Sequence, residues 1–80
     1  MITIPINLSE HAQMPTRSSI GAAAYDLYTA SRHVLRATPK LVNTGVSIEL
    51  PLGYVGMICS RSGLALNDCV HVLNSPGLID

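Results

Sequence analysis

Apolar residues in this chain come in short runs, broken every few positions by Pro, Gly, Asn or Ser. That texture reads as strands joined by turns. The clearest run is Val46-Ser47-Ile48-Glu49-Leu50, which places Val46, Ile48 and Leu50 on one face and Ser47 and Glu49 on the other. Pro51-Leu52-Gly53 follows, and a type I turn starting at Leu50 would put proline second and glycine fourth. Tyr54–Cys59 is then predicted as the return strand of a hairpin. Further strands are predicted at Ile2–Ile6, with Pro5 marking an edge or an end, and at Tyr25–Thr29, His33–Arg36 and Val70–Leu73. Residues 9–21 read as a loop. Ser60–Asp68 breaks the pattern, and Leu64-Ala65-Leu66 allows a short helical turn. Asn74-Ser75-Pro76-Gly77 is a turn signal, after which Leu78-Ile79-Asp80 opens another apolar run. The expected class is all-β, with a sheet that looks unfinished where the chain stops.

Eighty residues suffice for one small domain. Such a domain buries only about 60–65% of its unfolded surface and is marginal without partners or cross-links. Apolar residues make up 48% of the chain, so it is not disordered by composition. With no Trp or Phe, the expected core is aliphatic. Five basic residues balance five acidic ones, which argues against a nucleic-acid-coating surface or a polybasic membrane patch. Any bound anion must be met by a few placed groups. No run approaches a membrane span, and the N-terminus lacks the pattern of a secretory signal. Cys59 and Cys69 are spaced neither as a disulfide framework nor as a zinc knuckle. They are expected to be reduced, partly buried thiols of a cytoplasmic protein.

Three places offer chemistry. In Ser60-Arg61-Ser62-Gly63, an arginine fork suits phosphate oxygens, a serine adds a hydroxyl donor, and a glycine lets the backbone approach a ligand. A helical turn starting there would also favour an anion. Taken alone, the segment reads more readily as a solvated loop. It is not a Walker A loop, because the lysine and the spaced glycines are missing. Asp26 lies in an apolar, aromatic run where aspartate is disfavoured; it is either turned outward or held for a purpose, such as hydrogen bonding or coordinating a hard cation. Asp80 closes the pair Leu78-Ile79, as a strand-end aspartate or as a general base. His11, His33 and His71 share no spacing. A zinc site from Cys59, Cys69 and His71 lacks a fourth ligand, and no nucleophile elbow surrounds Ser62.

Three stretches in this order carry a resemblance. Gly21-Ala22-Ala23-Ala24-Tyr25-Asp26-Leu27-Tyr28-Thr29-Ala30 resembles the first motif of the dUTPase family. Gly56-Met57-Ile58-Cys59-Ser60-Arg61-Ser62-Gly63-Leu64-Ala65 resembles the second, and Asn74-Ser75-Pro76-Gly77-Leu78-Ile79-Asp80 is similar to the opening of the third. The segment from Asn43 to Tyr54 resembles the family's hairpin before the second motif.

The resemblance implies a β jelly-roll (β-clip), incomplete in this chain. It implies one domain over residues 1–80 that stops before the family's later motifs, including the sugar-discriminating tyrosine and the glycine-rich lid. It also implies a homotrimer whose active sites draw motifs from more than one chain, with Mg²⁺ as cofactor and dUTP as substrate, hydrolysed to dUMP and pyrophosphate. By position, Arg61, Ser62 and Gly63 would grip the triphosphate. Asn74 and the backbone around Leu78 and Ile79 would face the deoxyuridine. Asp80 would activate the attacking water, and Asp26 would hold the metal through water.

Two positions depart from the family pattern: Ala24 where glycine is usual, and Ser60 where proline is usual. The second is expected to loosen the phosphate loop. Residues 1–80 alone are expected to be inactive. Two rival readings stand beside this one. The first is a deaminase of dCTP with the same fold, disfavoured by Gly63 and by the Tyr-Asp-Leu-Tyr run. The second is a non-catalytic binding module.

Overall fold

The computed structural model describes residues 2–80. It divides into two compact units, one running to Glu49 and the other from Leu50 to Asp80. The first contains strands β1 (Ile6–Leu8) and β2 (Val46–Ile48); the second contains β3 (Gly56–Ile58), helix α1 (Ser62–Asp68) and β4 (Gly77–Ile79).

In the first unit β1 pairs antiparallel with β2, setting Ile6 opposite Ile48, Asn7 opposite Ser47 and Leu8 opposite Val46. The alternation read from the sequence is therefore real: the four apolar residues share one face and Asn7 and Ser47 the other. Each apolar cross-strand pair contributes about 0.2–1 kcal/mol. Backbone bonds extend the ladder at both ends, from Ser9 N–H to Gly45 O (2.8 Å) and from Glu49 N–H to Pro5 O (3.1 Å). Gly45 has φ +68°, a backbone conformation in which a side chain is strained. A methyl group there would also overlap Ser9 Oγ and lie 2.8 Å from Ala12 Cβ.

In the second unit β3 and β4 are antiparallel, with Gly56 opposite Ile79, Met57 opposite Leu78 and Ile58 opposite Gly77. Each isoleucine thus faces a glycine across the ladder. Gly77 is the one buried residue among those described. Helix α1 is too short to persist by propensity alone. It ends at Cys69, whose φ of 55° is left-handed, and Leu64 O accepts the backbone N–H of Val70 at 3.1 Å.

Several expectations need correction. The chain is not all-β, because α1 is a genuine helix, and the two-stranded sheets β1-β2 and β3-β4 are not closed into the barrel that a jelly-roll requires. The physical reason lies in the strands: each has three residues, and no hydrophobic side chain among the described residues is buried, so no aliphatic core draws sheets together. The Val46–Cys59 hairpin does not form; β2 pairs with β1, and β3 with β4. The intervening turn closes from Tyr54 N–H to Pro51 O (3.1 Å), with Gly53 third at φ +89°. Positive φ at that place belongs to a type II turn starting at Pro51, not a type I turn starting at Leu50.

The first strand is shifted from Ile2–Ile6 to Ile6–Leu8. Tyr25–Thr29 is reduced to one bridge between Asp26 and Thr16, and His33–Arg36 and Val70–Leu73 form no strand. Cys59 and Cys69 are free thiols, as expected, but both are exposed rather than partly buried. Among the described residues no helix is long and apolar enough to cross a membrane.

Candidate active site

Strand β3 leads directly into the Ser60–Gly63 loop. Arg61 is extended (φ −87°, ψ 127°) and caps α1 without a side-chain cap bond, so Ser62 and Gly63 are the first residues of the helix. All three are exposed. A Cβ on Gly63 would meet nothing within 4 Å, so its backbone is open to a close ligand. Arg61 is the only Lys or Arg between Ser60 and Asp80. One guanidinium can clasp a phosphate group in a bidentate manner, but it leaves most of a triphosphate's charge to other groups.

The Asn74–Gly77 turn lies beside that loop. Ser60 N–H donates to Ser75 Oγ at 3.1 Å, and Val72 N–H donates to Ser60 Oγ at 2.9 Å. The serine expected to loosen the loop instead makes two bonds that a proline could not make. The exposed Asn74 folds back over Gly77; a Cβ on Gly77 would stand 3.1 Å from Asn74 Nδ2. Leu78 and Ile79 follow in β4, 68% and 40% exposed. Asp80, also exposed, comes next.

The register separates these residues in one respect. Ile58 pairs with Gly77, so the Arg61 loop lies at the Asn74 end of the ladder. Ile79 pairs with Gly56, so Asp80 leaves from the opposite end. The paired stretch alone accounts for about 7 Å between those ends. Within one chain, the start of the Arg61 loop is joined to the Asn74–Gly77 turn, and Asp80 follows the other end of the ladder.

Asp26 belongs to the first unit and is half-buried. Its backbone N–H donates to Thr16 O (2.7 Å), and its O accepts Thr16 N–H (3.2 Å). Thr16 Oγ1 also bonds the Tyr28 hydroxyl. Arg17, which the sequence reading passed over, holds the loop closed. Its Nη2 donates to Ile20 O (2.7 Å) and Ala22 O (2.8 Å), and its guanidinium lies 5.9 Å from the Tyr25 ring centroid. The available signal was an arginine just outside an alanine-rich turn, nine residues before the aspartate. Among the described residues no three His, Cys, Asp or Glu side chains gather as a metal cage.

Comparison with known proteins places both loops in one family. The family model described as dUTPase matches residues 10–80. The chain is similar to the deoxyuridine 5'-triphosphate nucleotidohydrolase of Hydrogenobaculum sp., with 48% identity over 91% of this chain and 52% of that protein. It is similar to the rat protein of the same name (43%, over 94% and 36%) and to that of Mycobacterium marinum (41%, over 94% and 49%). The chain thus spans about half or less of these curated relatives. The matched span takes in Asp26, the Arg61 loop and the β4 segment alike, and the chain belongs to the dUTPase family.

Proposed function

We propose that the assembled protein hydrolyses dUTP to dUMP and pyrophosphate, residues 1–80 forming part of its single dUTPase-like domain. The observation that carries this is the family match across residues 10–80, which includes every candidate group. Asn74 and the backbone of Leu78 and Ile79 receive the deoxyuridine along β4, with the base at Asn74 and the reacting phosphate at Asp80. The Asp80 carboxylate takes a proton from water as the oxygen attacks the α-phosphorus. The bond from that phosphorus to the bridging oxygen breaks, and pyrophosphate leaves. Arg61, Ser62 and the Gly63 backbone hold the phosphates and stabilise the charge developing on them.

The donor set suits Mg²⁺ only as a hydrated ion shared with the substrate. Among the described residues it supplies the carboxylate of Asp26, acting through water, and no cluster that forms a protein cage. When bound, Mg²⁺ would neutralise phosphate oxygens beyond those that the one Arg61 guanidinium can meet.

The ladder register supports a site shared between copies. A nucleoside laid from Asn74 to Asp80 presents its phosphates at the end of β4 away from the same chain's Arg61. The Arg61 that meets those phosphates then comes from a neighbouring copy, in keeping with a homotrimer.

The test is pyrophosphate release from dUTP by the full-length assembled protein. Asp80→Asn should lower kcat about 10²- to 10⁴-fold with little change in KM, and residues 1–80 alone should release none. Unchanged turnover in Asp80→Asn would refute the assignment of the base. Ammonia release from dCTP in place of pyrophosphate from dUTP would refute the reaction.

A further inference from the structure

Ser60 bonds in two directions, and the bonds close on themselves. Its N–H donates to Ser75 Oγ (3.1 Å), Ser75 N–H donates to Val72 O (3.1 Å), and Val72 N–H donates back to Ser60 Oγ (2.9 Å). Ser60 and Val72 are half-buried, so water competes less well for the bond between them than it would at an open surface; Ser75 is exposed. The ring spans the beginning of the Arg61 loop and the Asn74–Gly77 turn. Apart from it, these segments are joined through a three-residue ladder and a seven-residue helix.

Resting on the dUTPase reading, we propose that Ser60 is a positioning residue for two recognition segments, the phosphate loop and the base-receiving turn. The ring fixes the spacing between the loop that holds phosphates and the turn that receives the base, whichever copy's substrate each one meets. Loosening it lets both wander at once. Ser60 touches no reacting atom, so the chemical step is spared while both kinds of recognition weaken.

The experiment compares wild type, Ser60→Ala and Ser60→Thr in the full-length protein, measuring dUTP turnover and inhibition by dUMP. Ser60→Ala should raise the KM for dUTP and the inhibition constant for dUMP together, each about fivefold, with kcat within about twofold of wild type. Ser60→Thr keeps the hydroxyl and should restore both constants. Amide exchange gives a readout independent of activity: the Val72 N–H should exchange faster in Ser60→Ala and regain protection in Ser60→Thr. Wild-type constants in Ser60→Ala, together with a deprotected Val72 N–H, overturn the positioning role. A wild-type protein that hydrolyses no dUTP overturns the functional reading beneath it.

Discussion

The two ladders have strands of equal length yet hold their loops by different means. β1 and β2 close residues 9–45, whereas β3 and β4 close residues 59–76. The first loop is roughly twice as long, which costs only about 0.6 kcal/mol more in closure entropy. Length therefore does not decide how each is organised. The long loop is folded by local bonds: Arg17 gathers the carbonyls of Ile20 and Ala22, while backbone bonds bring Asp26 back to Thr16 and Ala30 to Asn43. The short loop holds a helix and is laced by two serine hydroxyls. The arginine shapes a tight turn within its own segment, whereas the hydroxyls on short stems tie two segments whose backbones already run close.

The largest expected effect lies at the hinge of the first ladder. Gly45→Ala combines a left-handed backbone with a methyl group pressed against Ser9 and Ala12. It should destabilise by about 2 kcal/mol or more, read by urea unfolding and by loss of protection at the Ser9 amide. Equal deprotection at the Val72 amide would break the contrast between the two loops.

A smaller effect is expected at Arg17. Arg17→Ala removes both carbonyl bonds, each contributing about 1–1.5 kcal/mol locally, and releases the segment that carries Asp26. If Asp26 serves Mg²⁺, the Mg²⁺ concentration for half-maximal dUTP turnover should rise about fivefold, and Arg17→Lys should recover part of it. An unchanged Mg²⁺ titration would show the clamp to be structural only.

The smallest effect on stability, and the sharpest test of the second loop, is Gly63→Ala. Nothing lies within 4 Å of the added methyl group, and alanine in a helix is favoured over glycine by about 0.5–1 kcal/mol. The variant should be equally or more stable, yet bind a non-hydrolysable dUTP analogue more weakly by titration calorimetry. Unimpaired binding would mean that the Gly63 backbone does not approach the phosphates.

The sequence revealed what depends on neighbours and little that depends on distance. Val46–Ile48, Gly56–Ile58 and Gly77–Ile79 fall in or beside apolar runs visible in the sequence, and the helix sits where Leu64-Ala65-Leu66 pointed. Pairing was not visible. Val46–Ile48 carries the same alternation whether its partner is Tyr54–Cys59 or Ile6–Leu8, and the proline-glycine turn between β2 and β3 suggested the wrong one. Tyr25–Thr29, His33–Arg36 and Val70–Leu73 have strand-like composition and no ladder, because strand propensity expresses itself only against a partner.

The candidate groups themselves were legible in order and type. The devices that hold them were not, since Arg17 bonds carbonyls, which every residue carries, and Ser60 works partly through its own N–H. No residue type announces either role.

A sheet of two strands is all edge. Among the described residues, each of the four strands has one side paired and one row of N–H and C=O groups without a strand beside it. The apolar face of β1-β2 lies next to such rows, with Ile6, Leu8 and Ile48 36–42% exposed. Backbone templates flanked by uncovered aliphatic side chains recruit further strands. For this chain, solubility is therefore a matter of which strand arrives first: one that completes a defined assembly, or another edge of the same kind that begins an aggregate.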